Sequence, residues 1–438
     1  MPRGEVMDSE KIDRILSRAN ELLDAGKPAE SLSALDALDG RLVDTDDRIE
    51  FATLRAWALS ELDRVDDALR AVEPLLDEFP ESARLHGTRG VVLSNADELD
   101  EACEALERAV ELDPRDDVAL ANLALVYERV GELEQAIRLY DKAMRLGADI
   151  DWALQRKAAV LGEMGDYPAA KATLKRYLSL APEDIGQWIS LAIMHSDDEE
   201  YADAFHCYEV AERIDGDAPL LRLNWGVTAV RAGDLKLANR QLRALQRLTP
   251  QAPQPRLLRA LIEEEEQNLT AAAASYADAL RVALPGDPGD LAYALELAMD
   301  FHSRQDHLDE CERLLALGYA HNACTVELCE AYREATGERL DVATWFSIDI
   351  EADYREGLAQ HPRRRVDSSE QPTRFSRNVQ VVARDRDDAL AFLIEFLERM
   401  GETHVRIREF AADETMKDVF TGIYEVDPEC MVLVPGRR

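Results

Sequence analysis

Histidine and cysteine, two residue types that bind metal ions, are concentrated between residues 302 and 329. This segment contains three of the eight histidines and three of the six cysteines, at His302, His307, Cys311, His321, Cys324 and Cys329. A zinc site needs four ligands that converge on one point, commonly from closely spaced pairs. His321 and Cys324 have such a spacing, but Cys324 and Cys329 also fit the apolar face of a helix, where free cysteine is common. We therefore predict no metal site.

Motifs that would support catalysis are missing from the sequence. It contains no glycine-rich phosphate loop, nucleophile elbow or metalloprotease helix. Carboxylates at Glu402, Asp413 and Glu414 stand near His404, and we interpret them as surface charges. The single basic cluster, Arg363–Arg365, is compatible with an acidic partner, with contact to the protein's own acidic surface, or with simple solvation. We predict a protein that is not an enzyme and has no cofactor.

Charge restricts the partners. The chain has 438 residues, of which 88 are acidic and 51 basic, and its formal charge is −37. Such a field opposes contact with phosphate groups, so we expect no nucleic-acid partner and no anionic membrane surface, whereas a basic partner is favoured. Scattered cysteines, an N-terminus without an apolar signal segment and the lack of an 18-residue apolar run predict a reduced cytoplasmic protein without a membrane span.

A period of 34 residues runs through most of the chain. Small residues recur at its eighth position, at Gly90, Ala124, Ala158, Ala192, Gly226 and Ala260. They recur again at its twentieth position, at Ala102, Ala136, Ala170, Ala204, Ala238 and Ala272. Large residues occupy its twenty-fourth position, at Leu106, Tyr140, Leu174, Tyr208, Leu242 and Tyr276. Each half of the period is amphipathic with helical spacing, which predicts pairs of helices that approach closely at the small residues.

This pattern resembles the tetratricopeptide repeat, and its phase extends to about nine repeats over residues 12–320. Their starts are Ile12, Ile49, Ala83, Asp117, Asp151, Ile185, Pro219, Pro253 and Leu291. The resemblance implies an all-α fold, a right-handed α-solenoid of helix-turn-helix repeats. Neighbouring repeats stack because one helix pair cannot bury its apolar face alone. A helix near 322–336 fits the cap that such a stack needs, so we expect the solenoid to occupy residues 1–340.

After Gly337 the period is lost, and residues 341–438 predict a small α+β module. Alternating apolar and polar residues predict strands over 346–352, 378–384, 405–410, 420–426 and 431–434. An apolar stripe predicts a helix over 385–400. The polar stretch 354–377 is rich in turn-forming residues and predicts a mobile loop.

The resemblance also implies that the first helix of each repeat lines a concave surface. The candidate groove residues are Asn122, Leu125, Gln155, Arg156, Ile189, Ile193, Leu223, Asn224, Val227, Leu257 and Leu261. Asn122 and Arg156 resemble half of the carboxylate clamp of chaperone-binding members, but its other basic residues are missing. Over repeats six to eight the groove is apolar, which suits an amphipathic helix or a hydrophobic peptide. Two alternatives stay open: packing between repeats buries these side chains, or the protein's own tail covers them.

Our leading hypothesis is a non-enzymatic scaffold or adaptor that binds a peptide or helix of a partner protein, basic or amphipathic, in the concave groove. A second hypothesis is an enzyme whose catalytic centre lies in the C-terminal module and whose substrate is selected by the repeats. A third is a chaperone-like holder of assembling subunits, which an apolar groove allows.

Overall fold

The computed structural model describes residues 9–38, 42, 44–147, 149–321, 323–336, 339–353, 374–400, 402, 405–426 and 431–433. The chain divides into two compact units, Met1–Met194 and His195–Arg438. The helices of the first unit are α1 (Ser9–Asp24), α2 (Pro28–Leu35), α3 (Thr45–Ser60), α4 (Val65–Glu78), α5 (Ala83–Asn95), α6 (Leu99–Leu112), α7 (Asp117–Arg129), α8 (Leu133–Leu146), α9 (Ile150–Glu163) and α10 (Tyr167–Leu180). Helix α11 (Ile185–Asp197) crosses the division.

The second unit continues the helix pairs and ends in a sheet. Its helices are α12 (Tyr201–Ile214), α13 (Pro219–Arg231), α14 (Leu235–Leu248), α15 (Gln254–Glu265), α16 (Leu269–Ala283), α17 (Pro288–Arg304), α18 (Leu308–Ala320), α19 (Val326–Thr336) and α20 (Arg386–Arg399). Its strands are β1 (Arg339–Asp353), β2 (Arg374–Ala383), β3 (Arg406–Phe420), β4 (Gly422–Val426) and β5 (Met431–Leu433). The predicted fold class, a helix-turn-helix array followed by a small α+β module, is confirmed.

The periodic small residues lie in the core, as their spacing predicts. Every alanine at the eighth or twentieth position of the period is at most 1% exposed, and the large residues at the twenty-fourth position are also buried. In the last repeat, Ala298 and Cys311 occupy the corresponding places and are fully buried. The small residues therefore allow the two helices of a repeat to pack closely, while the large residue fills the space beside them.

Each turn between the paired helices contains one residue in the left-handed region. Glycine takes this place in four repeats, at Gly26, Gly131, Gly165 and Gly233. A residue with a side chain takes it in the other five, at Asp63, Asp97, Glu199, Gln267 and Asp306. Nine turns of one kind confirm the predicted nine repeats, because only a residue with positive φ reverses the chain in this way.

The C-terminal module is one antiparallel sheet with a helix between its strands. The strand order is β3-β1-β2-β4, and β5 pairs with the beginning of β2. The strand predicted over residues 346–352 is confirmed, and Phe346, Ile348 and Ile350 are buried while the residues between them are partly exposed. The alternation ends at Glu351, which is buried although it is charged. Helix α20 contributes its apolar stripe to the same core, together with α18 and α19. Strand β1 begins at Arg339, and the boundary near residue 340 between repeats and module stays a prediction.

One part of the predicted loop over 354–377 is wrong. Strand β2 begins at Arg374, and the side chain of Arg377 is only 3% exposed. Its guanidinium lies 5.3 Å from the centre of the Tyr319 ring, so the end of the predicted loop is part of the core. The remaining residues of that prediction, 354–373, including Arg363–Arg365, lie outside the described residues.

Candidate functional site

The first helices of the first four repeats form a concave cleft. Its lining side chains are Asn20, Leu23, Asp24, Trp57, Glu61, Val91, Asn95 and Asn122, and its volume is about 240 Å³. These residues belong to α1, α3, α5 and α7, except Glu61, which is the C-cap of α3. We call this surface the N-terminal cleft. Asn20, Trp57 and Val91 all occupy the ninth position of their repeats, so the cleft results from the period itself.

Three asparagine amides point into the N-terminal cleft with part of their hydrogen-bonding capacity unused. The Nδ2 of Asn20 donates to Asp24 Oδ2 at 3.3 Å, and that of Asn95 donates to Ser60 Oγ at 3.1 Å. The Nδ2 of Asn122 donates to Val118 O at 3.0 Å. Within the described residues no hydrogen bond uses the side-chain oxygens of the three amides. Each amide is therefore held in place by its nitrogen and offers its oxygen as an acceptor.

The charged residues of the N-terminal cleft are both acidic. Asp24 and Glu61 are exposed at its rim, whereas Leu23, Trp57 and Val91 supply apolar surface. Trp57 packs against the core of the first two repeats, so one side of its ring is fixed by the fold. The cleft thus combines an apolar floor, amide acceptors and two carboxylates, which is a surface suited to a peptide with basic side chains.

The predicted groove residues differ in how much of their surface is exposed. Asn122 lies in the N-terminal cleft. The half-buried members of the predicted set are Leu125, Gln155, Arg156, Ile193, Asn224, Val227 and Leu261. The buried members are Ile189, Leu223 and Leu257, all at the fifth position, with at most 7% exposed. Leu223 and Leu257 belong to the hydrophobic core, so these three side chains offer almost no surface to a ligand.

Arg156 is engaged within the protein, which opposes its prediction as a groove residue that contacts a partner. Its guanidinium forms an ion pair with Glu128, whose side chain is 11% exposed. The same carboxylate accepts a hydrogen bond of 2.8 Å from the Tyr140 hydroxyl. Burial, and after it the Glu128 carboxylate, raise the pKa of Tyr140. Arg156 therefore compensates a nearly buried carboxylate and is not available to bind a partner's carboxylate.

A similar network, with its arginine from a different position of the following repeat, occurs four repeats later. Tyr276 donates to Glu264 Oε2 at 3.1 Å, and Arg304 forms an ion pair with the same carboxylate. In both networks the glutamate and the tyrosine belong to one repeat, and the arginine belongs to the next.

The histidine and cysteine cluster of residues 302–329 is dispersed. His302 and His307 approach each other with 3.2 Å between their Nδ1 atoms. Cys311, Cys324 and Cys329 are buried in the core, and Cys324 Sγ contacts Leu315 O at 3.7 Å. His321, by contrast, is exposed. Burial lowers the pKa of His302 and raises that of Cys311, as expected for groups that pack in apolar surroundings.

The carboxylates predicted as surface charges in the C-terminal module are only partly described. Glu402 accepts a hydrogen bond of 2.7 Å from the Tyr319 hydroxyl, which connects the module to α18. His404 lies outside the described residues, as do the side chains of Asp413 and Glu414. In the part of the chain that the structure describes, no helix has the length and apolar character needed to cross a bilayer.

Sequence comparisons agree with the repeat geometry. Models of the tetratricopeptide repeat match residues 53–117 and 223–288, residues 105–138, and residues 153–184. The chain contains tetratricopeptide repeats. The sequence signal that could have located the N-terminal cleft is the ninth position of repeats one and two, where Asn20 and Trp57 stand. No curated protein sequence matches this tetratricopeptide-repeat protein.

Several solved structures are similar to the repeat array. One is YrrB, a TPR protein with an unusual peptide-binding site, with 20% identity, 42% of this chain and 95% of that chain covered, and a TM-score of 0.38. Another is pilF of Pseudomonas aeruginosa, with 19% identity, 49% and 98% coverage, and a TM-score of 0.42. A third is PilW, a type IV pilus biogenesis factor, with 18% identity, 47% and 96% coverage, and a TM-score of 0.41. Likeness at this level concerns the repeat fold alone.

Proposed function

We propose that this tetratricopeptide-repeat protein is a non-enzymatic scaffold that binds an extended peptide segment of a partner protein in the N-terminal cleft. The observation that carries the proposal is the convergence of ninth-position side chains from three consecutive repeats, with Asn122 from the fourth, on one concavity. Arrays of this kind use their concave surfaces for binding. A helical ligand needs a continuous apolar stripe, whereas the amide oxygens of this cleft suit the backbone N–H groups of an extended chain.

The charge of the cleft favours a basic segment. Asp24 and Glu61 are its charged side chains, and the residues before Asp341 contribute −31 of the total charge of −37. A field of this sign attracts lysine and arginine side chains and accelerates association at low salt. Exposed carboxylates of this kind each contribute roughly 0.2–1 kcal/mol to an ion pair, so the amides and the apolar floor supply the remaining affinity.

The test uses peptides selected by display on the full-length protein, with binding measured by fluorescence anisotropy at low salt. The combined variant Asp24→Asn, Glu61→Gln should weaken the selected peptides by about 2- to 30-fold, since two exposed ion pairs are lost. The matched control, Glu104→Gln with Glu134→Gln, removes the same charge from exposed sites on α6 and α8 and should change affinity by less than about twofold. Equal weakening by both variants, or selected peptides without basic residues, would contradict the proposal.

A second contact is proposed in the second unit. Val227 and Leu261 are half-buried ninth-position residues that pack against the core with part of their surface exposed. They suit the apolar side chains of an amphipathic segment. Val227→Ser should weaken such a segment while leaving the circular dichroism of the helices unchanged, and a loss of helicity would show that Val227 acts only in the core.

A further inference from the structure

A histidine and two carboxylates converge at the turn between α11 and α12. His195 lies in the last turn of α11, Glu200 precedes the first residue of α12, and Asp203 lies in the first turn of α12. Nδ1 or Nε2 of the imidazole and one oxygen of each carboxylate lie within 4.8 Å of one another. Among the described residues this is the one such group of three or more, and none of its residues lines the N-terminal cleft.

The backbone of the turn holds the three side chains together. Glu199 has a φ of 59°, which reverses the chain, and the backbone N–H of Glu200 donates to His195 O at 2.8 Å. The backbone N–H of Asp203 donates to Glu200 O at 3.1 Å. These backbone hydrogen bonds fix the positions from which the three side chains extend.

His195 is the fixed part of the group. Its residue is only 3% exposed, and its Nδ1 lies 2.5 Å from Glu200 Oε2. A buried imidazole directed at a carboxylate loses little further freedom when both atoms coordinate an ion. The side chains of Glu200 and Asp203 are exposed to solvent, so a bound ion would keep positions open for water.

We propose that His195, Glu200 and Asp203 bind a first-row divalent cation, for which Zn²⁺ is the best match. Zn²⁺ is commonly held by three protein ligands, drawn from imidazole nitrogen and carboxylate oxygen, with water in the remaining position. Ca²⁺ and Mg²⁺ prefer all-oxygen ligands, so the imidazole discriminates against them. Ligands at about 2.0–2.2 Å from one ion lie roughly 3–4.5 Å apart, so the three groups need only small side-chain movements. The cation takes the place of the proton shared by Nδ1 and Glu200 Oε2, and that proton is released to the solvent.

The surrounding charge supports a cation at this place. Residues 197–200 are Asp, Asp, Glu and Glu. Asp197 forms an ion pair of 2.6 Å with Arg231, so we do not include its carboxylate among the proposed ligands. Without an ion, the imidazole and Glu200 would form a plain hydrogen bond, and the experiment below distinguishes this case from a metal site.

The experiment is a calorimetric titration of the full-length protein with ZnCl₂ in the presence of reductant. Asp203→Asn should weaken Zn²⁺ binding at one site by at least about tenfold, because one ligand is lost while the fold keeps its hydrogen bonds. Glu209→Gln, an exposed position further along α12, removes the same charge and should change affinity by less than twofold. Both variants retain the His302–His307 pair, so Zn²⁺ bound there is unaffected by either.

Three outcomes would overturn the proposal: no stoichiometric Zn²⁺ binding, equal weakening by the two variants, or binding that is insensitive to Asp203→Asn. Unfolding of the metal-free variants provides a second measurement. Asp203→Asn should melt like the original chain without Zn²⁺ and lose the rise in melting temperature that Zn²⁺ gives to the original chain. Millimolar Ca²⁺ should not reproduce that rise, and a rise with Ca²⁺ would show a nonspecific acidic site instead.

Discussion

Helix α5 contains two glycines that should respond in opposite directions to replacement by alanine. A Cβ added at Gly87 would have Ala109 Cβ as its nearest neighbour, at 3.8 Å, which is ordinary contact. A Cβ added at Gly90 would lie 2.5 Å from Leu106 Cγ and 3.2 Å from Ala102 O. Leu106 is fully buried, so its branch point cannot move aside without displacing its neighbours.

The two substitutions share one energy term and differ in another. Both replace glycine by alanine in the interior of the same helix, which stabilises the helix by about 1 kcal/mol. Only Gly90→Ala adds an atom to a filled space, and overpacking of this kind typically costs about 1–3 kcal/mol. The shared term cancels in the comparison. We therefore expect Gly87→Ala to be the more stable variant by about 1–3 kcal/mol.

Hydrogen exchange followed by mass spectrometry suits this measurement, because a repeat array does not unfold in two states. Peptides from α5 and α6 should exchange more slowly in Gly87→Ala and faster in Gly90→Ala, whereas peptides from α15 and α16 should be unchanged. Equal protection in the two variants would refute the reasoning, since it would mean that α5 and α6 can separate at no cost.

Three further predictions concern the turns, the buried tyrosines and the net charge. Gln267→Gly should stabilise the helix pair of α15 and α16 by about 0.5–1 kcal/mol, measured by hydrogen exchange, because φ of Gln267 is 62°, and Gly233→Ala should destabilise the pair of α13 and α14. Burial raises the pKa of Tyr208 to about 12. The stability that the neutral Tyr208 hydroxyl contributes is complete below about pH 10 and is lost as the pH rises towards 12. Between pH 9 and pH 11.5 the protein with Tyr208 should therefore lose about 2 kcal/mol more stability than the Tyr208→Phe variant. The melting temperature of the full chain should rise between roughly 10 and 500 mM NaCl, because salt screens the repulsion of its −37 charge; a fall would mean that local ion pairs dominate.

The repeat phase could be predicted from the sequence because it depends on side-chain volume at buried positions. Small residues recur every 34 residues, and their places in the core follow from that period alone. The repeat starts do not give the helix starts where an N-cap precedes the first buried residue. Asp44 caps α3, so that helix begins at Thr45 and not near Ile49. The hydrogen bond of a cap is local and adds residues that the apolar period does not contain.

The candidate site was harder to predict than the fold, because neighbouring repeats determine which of its side chains are exposed and free of internal ion pairs. Fifth-position residues such as Leu223 and Leu257 have the same periodic place as a ligand-facing residue, yet adjacent helices cover them. Arg156 has the charge of a ligand-binding residue, but a carboxylate from the preceding repeat engages it. Patterns within one repeat do not contain this information. The N-terminal cleft could have been predicted from the ninth positions of repeats one and two, which are Asn20 and Trp57.

The networks centred on Glu128 and Glu264 limit how recombination can change the number of repeats in such a chain. Deletion of residues 151–184, one full period, would bring Ser190 to the place of Arg156. Glu128 would then keep its tyrosine and lose its cation, although its side chain is almost enclosed. A hydroxyl cannot neutralise that carboxylate. Units that appear interchangeable by length are thus joined in specific pairs, and viable duplications or losses would have to carry the glutamate and the following arginine together.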